Sequence, residues 1–170
     1  MSILSGFFPK QLNNSVFEID YDALYAKGIR GLIFDIDNTL EPYNTAHPSA
    51  QVVSFIKDLA ERGFKICLLS NNREARVSLF NETLNVSVVF KAGKPGDKGL
   101  RRAFAQMEVY DDETAIIGDQ IFTDIWCGNR FNLYSILVKP IGKEEEFWVR
   151  LKRIPEKLVL RAYYRNRSVK

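Results

Sequence analysis

The sequence predicts an α/β domain, and two observations support this prediction. Short apolar, β-branched runs alternate along the chain with segments of helical periodicity, which is typical of a parallel sheet covered by helices. Successive runs are separated by connections of about 20 to 30 residues, long enough for one crossover helix and little else. The expected architecture is a Rossmann-like three-layer sandwich with a central parallel sheet of about five strands and no cap domain.

Each element has a segment of its own. The predicted strands are residues 31–37, 64–70, 86–90, 114–119 and 134–140. Helical periodicity predicts helices over about 49–62, 73–84, 97–107 and 122–130. Pro48 and Ser49 form a suitable start for the first helix and Gly63 a suitable end. After residue 140 we expect one or two helices, interrupted near Pro155.

The chain length of 170 residues suits one domain, which buries roughly two-thirds of the surface of the unfolded chain. We expect residues 1–140 to form the core with a short N-terminal lead-in, and residues 141–170 to add a basic helical segment to the same domain. Two cysteines without a CxxC pair indicate neither a disulfide framework nor a zinc site, which favours the cytoplasm. Signal-peptide features and apolar runs of about 18 residues are absent, so we expect a soluble or peripheral protein.

The C-terminal segment is basic and the rest of the chain is acidic. The net charge is +3, but residues 147–170 hold eight Lys or Arg against the single acid Glu156. Two interpretations remain open for this segment. It is either an ordinary amphipathic helix packed on the sheet or a surface that contacts anionic membrane lipids. No RNA-recognition motif accompanies the charge, which disfavours nucleic acid.

Acidic side chains follow two of the predicted strands. Asp35 and Asp37 end the first strand, where residues two apart share a face and can point into one cleft. Asp119 ends the fourth strand, and Asp124 lies near the start of the next helix. First and fourth strands are commonly neighbours in doubly wound sheets, with ligands at their carboxyl ends. Clustered carboxylates without a His/Cys cluster favour a hard cation such as Mg²⁺.

Donors for an anion follow two other strands. Ser70 and the adjacent amide of Asn71 end the second strand, and Lys94 lies in a Pro/Gly-rich loop before a predicted helix. Lys91 and Lys98 are competing cations of the same loop. A hydroxyl, backbone amides and an ammonium are suitable donors for a tetrahedral anion, so we expect phosphate.

Four motifs resemble a known family. "DIDNT", "SNN", "KPGDK" and "GDQIFTD" are similar, in order and position, to the four motifs of the haloacid dehalogenase (HAD) superfamily, over residues 31 to about 140. "SVFEI", "GDQxxTD" and "GNR" resemble the YqeG-type branch of subfamily IIIA. That branch is related to mitochondrial phosphatases that act on phosphatidylglycerophosphate. The resemblance implies a HAD-like fold and a phosphatase.

The resemblance also implies roles for the acidic residues. Asp35 would attack phosphorus to form an aspartyl-phosphate, and Asp37 would act as general acid and then general base. Mg²⁺ would be held by the Asp35 carboxylate, the Asp37 backbone carbonyl and Asp119, with Asp124 in or near the outer coordination sphere. Ser70 and Lys94 would hold the phosphoryl oxygens, as expected from their positions.

These inferences give a Mg²⁺-dependent phosphomonoester hydrolase with a phosphorylated substrate, for which phosphatidylglycerophosphate or a similar lipid phosphate is the leading candidate. The absence of a cap favours a large or membrane-embedded substrate. Two alternatives are a soluble phosphatase for small sugar or nucleotide phosphates and a non-catalytic phosphate- or partner-binding protein. The expected location is the cytoplasm, with peripheral membrane contact at the inner face through residues 147–170. Oligomeric state is not predicted.

Overall fold

The structure is a computed structural model that describes residues 3–43, 45–142 and 147–167, without the side chains of residues 3, 147–154, 166 and 167. Its strands are β1 Gln11–Asn13, β2 Gly31–Phe34, β3 Lys65–Leu69, β4 Ser87–Val89, β5 Thr114–Gly118 and β6 Tyr134–Val138. Its α-helices are α1 Tyr21–Ala26, α2 Ala50–Glu61, α3 Glu74–Asn81, α4 Lys98–Met107, α5 Trp126–Arg130 and α6 Phe147–Arg167. Two 3₁₀ turns, Ile3–Phe7 and Val16–Glu18, and a π-helical turn, Ile121–Ile125, complete the described elements.

All strands pair in parallel in one sheet with the order β1-β6-β5-β2-β3-β4. The predicted fold class is therefore confirmed, and β2 and β5 are neighbours as expected, with Gly31 opposite Thr114. The sheet has one strand more than predicted. The additional strand, β1, lies at the edge, where Gln11 pairs with Ile136. It is three residues long and half-buried, so it has no apolar run to mark it.

The sheet is buried on both faces. Along β2, Leu32 and Phe34 pack into one hydrophobic cluster and Ile33 packs into the other. Strands covered on both faces need apolar residues at every position, which explains the continuous apolar runs of the sequence. Each crossover of the described chain carries helix only, and no further domain interrupts it.

The first predicted strand is shorter in the structure than in the prediction. Asp35 still pairs with β5, because its N–H donates to the Ile117 carbonyl at 2.9 Å. Beyond it the chain turns, since the Leu40 N–H donates to the Ile36 carbonyl at 3.0 Å and Asn38 has a φ of 61°. The prediction that Asp35 and Asp37 share one strand face is therefore wrong, because residue 37 belongs to the turn.

The helix α2 begins and ends as expected. The Ser49 hydroxyl accepts a hydrogen bond from the Val52 N–H at 3.3 Å, and Gly63 follows the helix with a φ of 93°. In contrast, α1 was not predicted. It is six residues long and is capped by Asp20, whose carboxylate accepts from the Ala23 N–H at 2.9 Å.

The helix α6 runs through Pro155, so the predicted interruption there is wrong. A proline removes one helical hydrogen bond, and packing beyond it offsets that loss. Glu156, Val159 and Tyr163, spaced three and four residues apart, are buried on one face. Val159 packs with Ile121, Ile125 and Leu137. Among the described residues, no helix combines the length and apolar character needed to cross a bilayer.

Candidate active site

Three buried carboxylates meet at the carboxyl ends of β2 and β5. Asp35 follows β2, Asp119 follows β5, and Asp124 lies in the π-helical turn after β5. Each offers an oxygen, and these oxygens lie within 4.8 Å of one another. The three residues are at most 8% exposed. The topology places this triad where ligands bind in doubly wound sheets.

Lys94 joins two members of the triad. Its ammonium Nζ lies 2.5 Å from Asp35 Oδ1 and 2.7 Å from Asp124 Oδ1, and the lysine is buried. Asn71 fixes the backbone of Lys94, because its side-chain oxygen accepts from the Lys94 N–H at 2.8 Å and its amide donates to the Lys94 carbonyl at 3.2 Å. The side chain of Asn71 therefore positions the backbone of the lysine.

Burial and neighbouring charges shift the pKa values of this ion-pair network. Burial raises the pKa of Asp35 to about 8, with smaller contributions in the same direction from Asp124 and Asp119, while the Lys94 ammonium opposes the rise. Burial alone would lower the pKa of Lys94. The carboxylates of Asp124 and Asp35 outweigh it and raise the lysine pKa above its ordinary value. Lys94 is therefore a permanent cation at neutral pH.

The π-helical turn brings Asp124 back over the end of β5. Asp124 Oδ2 accepts a hydrogen bond from the Gln120 N–H at 3.1 Å. Gly118 makes room for this carboxylate, since a Cβ at residue 118 would overlap Asp124. From α6, Glu156 Oε1 accepts from the Ile121 N–H at 2.7 Å and so ties the turn to the last helix. Asp124 thus lies beside Asp35 and Asp119 in the carboxylate triad.

Asp37 is held by other partners. Its carboxylate lies 3.2 Å from Arg76 Nη2 and 3.4 Å from the side-chain amide of Asn72, and it is not a member of the triad. Arg76 Nε and Nη1 are buried without a hydrogen-bond partner among the described atoms. Sequence reasoning missed Arg76, because an arginine in a helix gives no signal of the turn it faces. The second asparagine of "SNN", Asn72, is the sequence feature that could have indicated a partner for Asp37.

Two hydroxyls complete the site. Ser70 is buried at the end of β3, and its Oγ accepts from the Asn72 N–H at 3.1 Å. The Thr39 hydroxyl donates to Asp119 Oδ1 at 3.3 Å. Ser70 therefore lies at the carboxyl ends of the strands, as predicted, and β3, which it follows, is the neighbour of β2, which Asp35 follows.

The donor set fits a divalent metal ion. Asp35, Asp119 and Asp124 offer only carboxylate oxygens, the ligands of hard cations. With Asp37 added, the site holds four carboxylates and the two cations Lys94 and Arg76. When all are ionised, a dication balances the remaining two negative charges.

Comparisons with known proteins identify chains that are similar to this one. The HAD-hydrolase-like family model matches residues 91–161. The chain is 34% identical to the probable phosphatase YqeG of Bacillus subtilis over 94% of its own length and 93% of that protein. It is 28% identical to phosphatidylglycerophosphate phosphatase 1, chloroplastic/mitochondrial, of Arabidopsis thaliana, over 87% of this chain and 45% of that one.

A solved structure gives the same fold. The cobalt-bound deoxy-D-mannose-octulosonate 8-phosphate phosphatase of Haemophilus influenzae superimposes with a TM-score of 0.51 at 16% identity, over 81% of this chain and 90% of that one. At this identity the likeness concerns the fold alone. Together with the long match to the Bacillus protein, these findings show that the chain belongs to the HAD superfamily, in the family of YqeG-type phosphatases.

Proposed function

We propose that this phosphatase hydrolyses a phosphomonoester with Mg²⁺ through a covalent phosphoryl intermediate on Asp35. The observation that supports this most strongly is the buried network in which Lys94 contacts Asp35 and Asp124 beside Asp119. A carboxylate nucleophile, a fixed cation and a triad of oxygen ligands are the groups that phosphoryl transfer requires. All of them lie at one end of β2 and β5.

In the first step, an Asp35 oxygen forms a bond to phosphorus while the bond from phosphorus to the substrate alcohol breaks. Asp37 donates a proton to the departing oxygen, so the alcohol leaves neutral. Lys94 and Ser70 hold the phosphoryl oxygens while the negative charge on those oxygens is redistributed during the transfer. Arg76 and Asn72 fix the carboxyl group of Asp37 for this transfer.

In the second step, water attacks the phosphoryl group. Asp37, now a carboxylate, accepts a proton from the water as the water oxygen bonds to phosphorus. The bond between phosphorus and the Asp35 oxygen breaks, which restores the carboxylate and releases inorganic phosphate. Asp35, Asp119 and Asp124 would hold the Mg²⁺ ion, which supplies positive charge against the carboxylates and the phosphoryl group.

For the substrate, we propose phosphatidylglycerophosphate or a similar lipid phosphate. The Arabidopsis relative carries this activity in its name and matches most of the present chain, although the chain spans less than half of that protein. The exposed Arg161 and Arg165 on α6 add a basic surface suited to anionic lipid. We therefore place the enzyme in the cytoplasm, in peripheral contact with a membrane.

A phosphate-release assay tests this function. Purified protein with Mg²⁺ would be given phosphatidylglycerophosphate in detergent micelles, sugar phosphates and nucleotides. We expect the highest kcat/KM for the lipid phosphate and its loss in Asp35→Asn. Comparable turnover of small phosphates would instead identify a soluble small-molecule phosphatase. Absence of phosphate release from every substrate would support a binding role.

A further inference from the structure

A cavity opens beside the carboxylate triad. It lies between the carboxyl ends of β1 and β6, the π-helical turn and α6, and its volume is about 470 Å³. Small-molecule sites have volumes in this range. We name this cavity the α6 cleft. Asp119 is one of its lining residues and is also a member of the triad. The cleft thus shares Asp119 with the proposed reaction centre.

The walls of the α6 cleft are mainly apolar. They include Leu12, Ile121, Leu137, Pro140 and Leu160. Ile121 and Leu137 belong to one buried hydrophobic cluster, against which the partly buried Leu12 and Leu160 pack. Contact between such a surface and a hydrocarbon chain is favourable, because it removes apolar area from water.

Two cations stand at the edge of these walls. Lys139 follows β6, Lys157 lies on α6, and both are exposed. Neither forms an ion pair with another of the described residues. The acid Glu156 also lines the cleft, but it is 4% exposed and bonded to the Ile121 N–H. The cleft therefore combines hydrocarbon-binding walls with two ammonium groups able to pair with an anion.

The rim of the α6 cleft also contacts the turn that carries the proposed general acid. The Ile141 N–H, one residue beyond the lining Pro140, donates to the Asn38 carbonyl at 3.0 Å. Asn38 directly follows Asp37. An alcohol leaving from a phosphoryl group at Asp35 thus has the α6 cleft as its neighbouring space.

We infer that the α6 cleft binds the alcohol part of the substrate, and that this alcohol carries an acyl chain next to an anionic phosphodiester. Leu137 and Leu160 would contact the acyl chain, and Lys139 and Lys157 the phosphodiester. This inference rests on the proposed function and extends it, because it assigns substrate selection to Leu137, Lys139, Lys157 and Leu160, none of which takes part in phosphoryl transfer.

A specificity measurement tests the inference. One substrate is dihexanoyl phosphatidylglycerophosphate kept below its micelle concentration, and the other is p-nitrophenyl phosphate, which has neither acyl chain nor second phosphate. The measured quantity is kcat/KM for the lipid phosphate divided by kcat/KM for p-nitrophenyl phosphate. We expect this ratio to fall at least about tenfold in Leu160→Asp and in the double variant Lys139→Gln/Lys157→Gln. Leu158→Asp, at an exposed position of the same helix, and Lys65→Gln, at the opposite end of the sheet, should keep the wild-type ratio.

A binding measurement separates this inference from the proposed function. Calorimetric titration with dihexanoyl phosphatidylglycerol, the product alcohol, should show binding to the wild type and weaker binding to the lysine double variant. Both lysines are exposed, so the double variant should fold even if Leu160→Asp does not. A wild type that hydrolyses p-nitrophenyl phosphate but does not bind the alcohol overturns the inference and leaves the phosphatase proposal intact. Binding of the alcohol by a protein without phosphatase activity would support the cleft and refute the proposed function.

Discussion

At the Asp35 side chain, burial and charged neighbours act together on the carboxyl group. It is paired with Lys94 at 2.5 Å, yet its pKa is raised to about 8 because burial disfavours the carboxylate. The protonated form therefore stabilises the metal-free fold. That contribution is complete below the pKa of an unfolded aspartate and is lost as the pH rises through about 8.

This pKa predicts pH-dependent metal binding. A metal ion binds the ionised carboxylate, so below pH 8 each bound Mg²⁺ must displace the proton of Asp35. We expect the Mg²⁺ Kd to decrease as the pH rises from 6 to 8, by up to about tenfold per unit. Isothermal titration of the metal-free protein at several pH values measures this, and a Kd independent of pH would contradict it.

Arg76 is predicted to act through Asp37. Replacing it with methionine keeps an apolar stem over Phe80 but removes the partner of the Asp37 carboxylate. We expect kcat for an alkyl phosphate to fall about tenfold to a hundredfold, part of the contribution of a general acid. The loss should be smaller for p-nitrophenyl phosphate, whose leaving group needs no proton.

The matched control for Arg76 is Arg73→Met, at the exposed start of the same helix, which should leave both rates near the wild type. Equal losses of Arg76→Met on the two substrates would indicate a purely structural role for Arg76.

Sequence patterns locate residues well when those residues directly follow a strand. Asp35 and Asp119 follow neighbouring strands, so alternating strands and helices were enough to bring them together. Arg76 reaches the site from α3, and its position depends on how that helix packs. Local pattern carries no information on such packing, which is why Arg76 was not predicted.

At the level of elements, the π-helical turn has the largest effect on the site. Periodicity predicted one helix over residues 122–130, whereas the structure has a wider turn followed by the short α5. The wider turn carries Asp124 into the triad beside Gly118. Single π-turns occur frequently at functional sites, and a pattern of apolar residues does not distinguish them from α-helix.

Gly118→Ala tests this arrangement. The added methyl group would overlap Asp124 in a closely packed strand end, so we expect a loss of about 1 to 3 kcal/mol in the free energy of unfolding. Displacement of Asp124 should also weaken Mg²⁺ binding. Urea denaturation and metal titration measure the two effects. Gly6→Ala is the control, since nothing lies within 4 Å of its added Cβ; equal behaviour of the two variants would refute this account of residue 118.

For the whole molecule, the alternation of strands and helices was sufficient to predict the parallel sheet and, over the residues that the structure describes, crossovers without a cap domain. The exceptions are peripheral. The short edge strand β1 lacks an apolar run, and Pro155 lies within α6 because tertiary packing of Val159 and Tyr163 holds the helix together. Both depend on contacts made only in the folded chain.

The exposed charges of α6 predict membrane binding. Removing Arg161 and Arg165 together, as glutamines, should weaken association with anionic vesicles by roughly 1 kcal/mol for each cation. Vesicle co-sedimentation at low and high salt measures this. Lys57→Gln/Lys65→Gln removes the same charge from exposed positions outside α6 and should bind as the wild type does. Equal binding by both double variants would assign α6 to packing alone.

The most direct test of the central claim is to detect the phosphoryl group on Asp35. In Asp37→Asn with Mg²⁺ and p-nitrophenyl phosphate, the leaving group needs no acid, but water lacks its base, so the phosphoryl-enzyme should accumulate. Acid quenching, proteolysis and mass spectrometry identify the modified residue. The account predicts one phosphoryl group on Asp35. An unmodified Asp35, in a preparation whose wild type turns the substrate over, would contradict it.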